Sequence, residues 1–469
     1  MRKVIASLTA AAAGLAGLAL ASTASARPLA PHASSQRSPV RHVVVLYLEN
    51  HSFDNVLGFW CDTHAARCPD GGMPALVKLS DNTVIRPRKD PDIVPKVSHS
   101  IGSQRRAING GQMDGWQKIE GCTAADNYAC VSGYKPAQVP NVVRLANRFA
   151  ISDRTFSMAD SPSWGGHMYA VMGSLDGFKG QNPVPAPGVK PGKGWGCDSK
   201  LVTPWTAPSG HVSNVPSCVP DFSLGLPNGG AFRHTPVKHV PTILDRLQHA
   251  GLSWRIYGEP TPPPASSPTA RGYGWDICPS FAECLYTNRK ANNVHSESFV
   301  NDAKSGRLPN FAIITPGGTD ARLSQHNGFS MTAGDDWIGQ IASAVMHGPQ
   351  WNSTVLFITW DDCGCFYDQV KPGINPDGTA QGPRSPLLIV SPFAKKSFTD
   401  THPTTFAGIL GFTEHTFGLK PLTVNDASAY AFAKAFNFSQ PAFAPAHMVY
   451  RPWPPDAYHV NMKEADDDT

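Results

Sequence analysis

Charged side chains are scarce in this chain. They make up 16% of its 469 residues, and the formal net charge is only +4. Nucleic-acid binding relies on dense clusters of lysine and arginine, so nucleic acid is excluded as a main partner. Beyond residue 21 no window contains the about 20 unbroken apolar residues that a membrane-spanning helix needs. We therefore expect no transmembrane segment in the mature chain.

The cysteines also lack the spacing of a zinc site, because no CxxC pair occurs with histidines at ligand distance. Ten cysteines are present, and four pairs are close in sequence: Cys61 and Cys68, Cys122 and Cys130, Cys197 and Cys218, Cys278 and Cys284. In an exported protein this pattern predicts disulfides that staple loops. Cys363 and Cys365 flank Gly364, and three states stay open for them: bridged to each other, bridged elsewhere, or reduced.

The N-terminus has the three parts of a secretory signal peptide. A positive start at residues 1–3 precedes an apolar stretch at 4–21, and Ala24-Ser25-Ala26 matches an A-x-A cleavage site. The alternative is an uncleaved membrane anchor. We predict a signal peptide over residues 1–26 with cleavage near Ala26, an N-terminal extension over 27–40, and a secreted or periplasmic protein. The acidic end, residues 456–469, is predicted to be a polar tail.

No linker divides the rest of the chain, so we expect one domain over residues 41–455. Strand candidates are His42 to Leu48, Phe149 to Ser152, Leu252 to Tyr257, Phe311 to Thr315, Thr354 to Trp360 and Pro386 to Val390. Helical patterns alternate with them: Val139 to Arg148, Gly166 to Gly173, Val240 to Gly251, Asp335 to Met346 and Thr404 to Phe417. This order predicts an α/β fold, a three-layer α/β/α sandwich with a mostly parallel sheet. Stretches 61–138, 175–239 and 259–308 are predicted to be long disulfide-stapled loop insertions.

Two short acidic tracts, Glu49-Asn50 and Asp361-Asp362, each follow directly after a strand candidate. Parallel strands end on the same edge of a sheet, so we expect these oxygens to converge there. Carboxylates held together with little water need protons or a cation, because joint ionisation costs several kcal/mol. A divalent metal ion is the simplest answer. Oxygen ligands favour calcium, magnesium or manganese, and a nearby histidine would admit zinc or iron.

A nucleophile candidate lies in the middle of the chain. Ser163 precedes a Gly-Gly pair and a helical pattern within residues 160–169 (DSPSWGGHMY). A hydroxyl at the N-terminus of a helix meets free backbone N–H groups, which stabilise an oxyanion or a phosphate. The alternative is that Ser161 or Ser163 only caps the helix.

Four blocks match the motifs of one known family in chain order. They are ENHSFD at 49–54, SPS with Tyr169 at 161–169, WNSTVLFITWDDCGCFYDQV at 351–370, and GPRSPLLIVSPFA at 382–394. Together they resemble the bacterial phosphoesterase family, which holds secreted phospholipases C and acid phosphatases with an alkaline-phosphatase-like fold. The similarity runs from about Arg41 to about Leu419.

The resemblance implies a metal-dependent phosphoric ester hydrolase that works through a phosphoseryl intermediate on a phosphate ester or a phospholipid head group. It implies three groups of site residues: the metal ligands Glu49, Asn50, Asp361 and Asp362, the nucleophile Ser163, and the substrate-binding residues Asn50, His99 and His326. The two histidines would bind phosphate or move protons. His167 takes the Arg/His place of the nucleophile block, where we expect it only to orient the loop.

Departures from the family pattern keep other functions open. Gly165-Gly166 replaces the usual Pro-Asn, and a further family histidine would fall near Ala291, with His295 as its substitute. A serine nucleophile and the short stretch after the last block favour the acid-phosphatase branch over the longer phospholipases C. The alternatives are a transferase or sulfatase-like member of the same fold, and a non-catalytic member that binds phosphorylated ligands. The absence of a C-x-P-x-R signature counts against the sulfatase.

Overall fold

The computed structural model describes residues 38–219, 236–237, 240–260, 273, 275–316 and 322–454. The predicted signal peptide and polar tail lie outside these ranges, as do residues 27–37 of the predicted extension. Within the described ranges, no helix is both long enough and apolar enough to cross a lipid bilayer.

The described chain alternates strands and helices. The strands are β1 His42–Leu48, β2 Val77–Lys78, β3 Val84–Ile85, β4 Arg88–Lys89, β5 Ser132–Gly133, β6 Ala150–Ser152, β7 Thr155–Phe156, β8 Val184–Pro185, β9 Leu201–Thr206, β10 Val212–Pro216, β11 Trp254–Gly258, β12 Asn293–His295, β13 Phe311–Ile314, β14 Thr354–Trp360, β15 Leu387–Val390, β16 Phe398–Asp400 and β17 Thr404–Thr405. The α-helices are α1 Phe53–Cys61, α2 Ile101–Ile108, α3 Pro140–Arg148, α4 Ser163–Met172, α5 Ile243–His249, α6 Ala282–Tyr286, α7 Ser298–Lys304, α8 Met331–His347, α9 Ala407–Phe417 and α10 Val424–Ser428.

Eight strands form the main sheet, in the order β12-β11-β13-β1-β14-β15-β6-β16. The first five run parallel to one another, and β6 is parallel to β16. Only β15 runs antiparallel to both of its neighbours within this sheet. The prediction of an α/β fold with a mostly parallel sheet is therefore confirmed.

The two strands at the centre of the sheet, β1 and β14, are almost entirely apolar (HVVVLYL and TVLFITW), and nearly every residue in them is buried. Such runs suit a strand covered on both faces, and branched side chains such as valine and isoleucine pack well on a pleated surface. The pairing is in register from His42 opposite Thr354 to Leu48 opposite Trp360. Glu49 and Asp361 therefore leave the sheet side by side.

Helices cover the sheet in two groups. Helix α8 contacts α3, α7 and β14, whereas α4 contacts α5 and α9, and α5 contacts β11. Helix α3 begins with Pro140, whose fixed φ and missing N–H suit the first turn. Long apolar strands between two helical groups give the predicted α/β/α layers.

Four disulfides join the cysteine pairs that are close in sequence: Cys61–Cys68, Cys122–Cys130, Cys197–Cys218 and Cys278–Cys284. Their loops lie in or beside the predicted insertions. Cys363 and Cys365 are reduced, and both are fully buried. Of the three states left open by the sequence, the structure has the thiol form.

The predicted insertions contain more regular structure than we expected. Strand β12 belongs to the main sheet, and α7 follows it, although both fall in the stretch 259–308. Similarly, α2 lies within 61–138. A three-residue strand and seven- or eight-residue helices are too short to show a clear period in the sequence.

Arg384 anchors the loops at one edge of the sheet. Its fully buried guanidinium donates to Asp368 Oδ1 at 2.9 Å, to Asp54 Oδ1 at 3.0 Å and to the Asp153 carbonyl oxygen at 2.8 Å. Burial of charge is tolerated only when such partners are present. The arrangement ties α1 to the chain that follows β14.

Candidate active site

Glu49, Asn50 and Asp361 meet where β1 and β14 end. Asp361 N donates to the Leu48 carbonyl oxygen at 3.0 Å, and Asn50 N donates to Asp361 Oδ1 at 3.1 Å. Asn50 has a positive φ of 55°, a conformation that asparagine tolerates better than most residues. The structure thus brings the two predicted acidic tracts together.

Ser163 lies against this acidic edge as the first residue of α4. Its Oγ donates to Glu49 Oε2 at 2.9 Å and accepts from Asn50 Nδ2 at 3.3 Å. The N-cap position belongs to Pro162, which makes no cap bond, and Trp164 N in the first turn donates to Asn182 Oδ1 at 2.9 Å rather than to a serine. The alternative that Ser161 or Ser163 caps α4 is therefore wrong.

Asp362 is held by the turn that follows it. Its Oδ1 accepts from Gly364 N at 2.6 Å, and its Oδ2 accepts from Asn50 Nδ2 at 3.3 Å. Gly364 has a positive φ of 54°, and a Cβ at this position would be 2.2 Å from the Asn50 carbonyl oxygen. Only glycine lets the turn approach so closely.

His167 joins the same group and was missed as a site residue by the sequence reasoning. Its Nε2 lies 2.9 Å from Glu49 Oε1, and both side chains are buried. Glu49, His167 and Asp361 offer ligand atoms that all lie within 4.8 Å of one another. A signal was available, because His167 follows Ser163 by four residues and so shares its face of α4.

Burial disfavours the charged forms of Glu49 and His167. The pKa of Glu49 is raised well above its usual value, first by burial and then by the neighbouring Asp361. Burial lowers the pKa of His167, which favours the neutral imidazole. Asn50 Oδ1 and Asp361 Oδ2 are buried without a hydrogen-bond donor. Two carboxylates, a neutral imidazole and unused oxygen atoms are a donor set that fits a divalent cation.

His99 and His326 form a second buried group. Their rings meet edge to face, with centroids 5.7 Å apart. His99 Nδ1 lies 3.1 Å from the Val97 carbonyl oxygen, and its Nε2 is buried without a hydrogen-bond partner. Burial lowers the pKa of His99, against the attraction of Asp361. The His326 segment runs beside Glu49, since Glu49 N donates to the Ser324 carbonyl oxygen at 2.9 Å.

Two other histidines have different surroundings. His51 is held at both nitrogens, by Asn55 Oδ1 at 2.7 Å and the Gln325 carbonyl oxygen at 2.9 Å, so it fixes the loop after β1. His295 is about half exposed and lies 3.7 Å from Glu259. Within the described ranges, no hydrogen bond or ion pair joins His295 to the acidic edge.

The chain is similar in sequence to several proteins named as phospholipases C. The chain is 25% identical to non-specific phospholipase C1 of Arabidopsis thaliana, over 85% of this chain and 71% of that protein. It is 25% identical to non-specific phospholipase C6 of the same plant (77% and 63%) and 22% identical to the non-hemolytic phospholipase C of Pseudomonas aeruginosa (86% and 58%). The chain thus spans less than two thirds of the length of the second and third of these relatives.

Among solved structures, one similar chain is a protein in the alkaline phosphatase superfamily from Vibrio parahaemolyticus. It is 11% identical over 84% of this chain and 71% of that one, with a TM-score of 0.34, which is too low for a comparison of sites. The model of the phosphoesterase family matches residues 40–420. Four fifths of the chain fit that one model, as the four sequence blocks predicted, and the chain belongs to the phosphoesterase family.

Proposed function

We propose that this chain is a secreted, divalent-metal-dependent phosphoric ester hydrolase in which Ser163 forms a phosphoseryl intermediate. The observation that carries the proposal is the placement of Ser163 Oγ at the start of α4, between Glu49 Oε2 and Asn50 Nδ2. Membership of the phosphoesterase family and relatives named as phospholipases C support the reaction class. The four disulfides and the leader-like N-terminus support export.

Glu49 and Asn50 act in the first half of the reaction, in which Ser163 attacks phosphorus. Glu49 Oε2 receives the hydrogen bond of Ser163 Oγ–H and so orients the hydroxyl for attack on phosphorus. Asn50 Nδ2 and the positive end of the α4 dipole stabilise the negative charge that develops on Oγ and on the phosphoryl oxygens. The Ser163 Oγ–P bond forms as the bond from phosphorus to the leaving alcohol breaks, and the proton that Ser163 Oγ gives up ends on the oxygen of the leaving alcohol.

Glu49, Asp361 and His167 would hold the metal ion, together with the predicted ligands Asn50 and Asp362. A divalent ion there supplies positive charge that lowers the pKa of the serine hydroxyl and offsets the charge of the phosphate. An imidazole nitrogen in the set widens the choice to zinc or iron beside calcium, magnesium and manganese.

The second half of the reaction returns the serine to its hydroxyl form. Water attacks phosphorus, the Oγ–P bond breaks, and phosphate leaves. His99 Nε2, which is buried and has no hydrogen-bond partner, would bind the phosphoryl group or accept a proton from it. His326 would act beside it, since the two rings are in contact.

Acid quenching during turnover, followed by mapping of the phosphorylated peptide, tests this mechanism. We expect the label on Ser163, and we expect Ser163→Ala to remove the label and reduce turnover by about 10³-fold or more. Ser161→Ala is the matched control, because Ser161 is equally buried two residues earlier. A label on another residue, or full turnover by Ser163→Ala, would contradict the proposal. Inactivity of the parent with intact metal binding would favour the non-catalytic alternative.

Assays of one enzyme preparation on a phosphomonoester, a bis-ester and phosphatidylcholine identify the class of substrate. The relatives named as phospholipases C favour a diester such as a phospholipid, whereas a serine nucleophile favours the acid-phosphatase branch. Hydrolysis of the monoester alone identifies a phosphatase, and release of a phosphorylated head group identifies a phospholipase C. Elemental analysis of the same preparation names the metal, and a metal-free sample with full activity would contradict the metal dependence.

A further inference from the structure

Gln104 connects the two halves of the proposed site. This fully buried side chain lies on α2, one turn after His99, and its amide nitrogen donates two hydrogen bonds. One goes to the carbonyl oxygen of His99 at 3.1 Å, and the other goes to the carbonyl oxygen of Ser161 at 2.9 Å. A single amide group therefore joins the backbone that carries the histidine to the backbone that leads into Ser163.

The two segments that Gln104 joins belong to different parts of the chain. Ser161 is 57 residues away from Gln104 in sequence. Pro162 lies between Ser161 and α4. Its fixed φ leaves the backbone little freedom to adjust, so a shift of Ser161 is passed on to Ser163.

The surroundings of Gln104 leave little room for another partner to replace it. Its Oε1 is buried without a hydrogen-bond donor, and this atom would lie 3.1 Å from a Cβ on Gly382. The side chain is thus enclosed by protein, while its acceptor makes no bond at all. Buried polar atoms normally have hydrogen-bond partners, so the unbonded acceptor oxygen of this amide costs free energy that an apolar side chain of the same size would not.

We propose that Gln104 is a positioning residue that sets the distance between Ser163 and the phosphate-binding His99. This inference rests on the proposed function, since it assigns His99 to the phosphoryl group. Both hydrogen bonds of Gln104 go to backbone carbonyl oxygens rather than to the side chains of Ser163 or His99. It acts through the backbone of both segments, so its loss separates the donor that holds the phosphoryl group from the hydroxyl that attacks it.

The test compares Gln104→Met with Gln117→Met. Methionine has nearly the shape of glutamine and no amide. Gln117 is a matched control, because its amide also makes a side-chain hydrogen bond, to Ser80 Oγ at 2.7 Å, and its Oε1 also lacks a partner. The amount of active enzyme is counted from the acid-stable phosphoryl label on Ser163. The turnover number per labelled site and the inhibition constant of inorganic phosphate are then measured with the melting temperature.

We expect Gln104→Met to lower turnover per labelled site by about tenfold and to raise the inhibition constant of phosphate at least threefold. Gln117→Met should leave both at the parent values, even where its melting temperature falls as far. A merely structural role for Gln104 would reduce the number of labelled sites without changing either quantity per site, and that result would overturn the inference. If Gln104→Met does not fold, Gln104→Asn, which has the amide on a shorter side chain, is measured against the same two outcomes.

Failure of the proposed function gives a different result. A parent enzyme that carries no label on Ser163 overturns the proposed function and this inference with it. A labelled parent with an unimpaired Gln104→Met variant overturns the inference alone.

Discussion

Replacement of Gly166 by alanine should lower turnover while leaving the free energy of unfolding nearly unchanged. Gly166 lies inside α4, and a Cβ added there would be 3.0 Å from the Asp361 carbonyl oxygen and 3.3 Å from Asp361 Cβ. Ordinary contacts of a Cβ begin at 3.4 Å, so α4 must move away from β14 by about 0.4 Å. That movement carries Ser163 and His167 away from the acidic edge.

The expected magnitudes follow from the helix and from the site separately. Alanine is favoured over glycine in a helix interior by about 0.8–1.0 kcal/mol, which offsets part or all of the cost of the tighter contact. We therefore expect the free energy of unfolding to change by less than about 1 kcal/mol. A displacement of about 1 Å at a catalytic centre costs about 10²-fold in rate, so 0.4 Å predicts a loss of about sixfold in turnover.

Urea denaturation and turnover per labelled Ser163 measure the two effects on the same sample. Gly102→Ala is the control, since its Cβ would meet nothing closer than Arg106 at 3.5 Å. Two results would refute the reasoning. One is parent-like turnover in Gly166→Ala. The other is a stability loss beyond about 2 kcal/mol, which would show that the contact disrupts the fold rather than the spacing.

Three further predictions concern the protein around the site. Arg384→Met should lower the free energy of unfolding by about 3–5 kcal/mol, because it leaves two buried carboxylates without their cation. Burial raises the pKa of Asp90 to about 7, so the folded state binds a proton that the unfolded state releases above about pH 4. Stability should then fall as pH rises from 4 to 7, by up to about 1.4 kcal/mol per pH unit, and Asp90→Asn should remove that part of the slope. Thiol titration of the denatured, unreduced protein should find two thiols, Cys363 and Cys365.

Each of these predictions has a control. Arg105→Met breaks the Arg105–Asp160 pair, whose arginine is mostly exposed, and should cost less than about 1 kcal/mol. Asp81→Asn, at a fully exposed carboxylate, should leave the pH slope of stability between pH 5 and 7 unchanged. Stability that is flat or rising over this range would contradict the assignment of a protonated buried carboxyl. A thiol count of zero would show that Cys363 and Cys365 are bridged.

The centre of the fold could be predicted from the sequence because its strands are long and apolar. The bounds of β1 and β14 match the predicted runs residue for residue, since an acidic residue ends each of them. The start of α4 was placed three residues late, because Ser163 and Trp164 show no helical period ahead of the glycines. The direction of β15 was not predictable, since an apolar run of four residues has the same pattern in either orientation.

The sequence predicted that Ser163 and the acidic residues belong to the candidate site, but it did not predict that His167 does. Glu49, Asn50 and Asp361 follow strand ends, and a parallel sheet brings such positions together whatever the loops do. His167 belongs to the same group because it lies on the same face of α4 as Ser163. That face can be predicted only once the start of α4 is known. The part played by Gln104 depends on a contact between distant loops, and no local pattern encodes such a contact.

The antiparallel direction of β15 determines which residues of this segment lie at the edge of the sheet that carries Glu49 and Asp361. Its two neighbours, β14 and β6, run in the opposite direction, so only the residues that follow them lie at this edge, and those residues are acids. A strand of opposite polarity exposes the residues that come before it, so the chain enters β15 at the very edge where its neighbours leave theirs. Arg384 lies three residues ahead of the strand, so the reversal of chain direction brings to this edge a cation that pairs with Asp54 and Asp368.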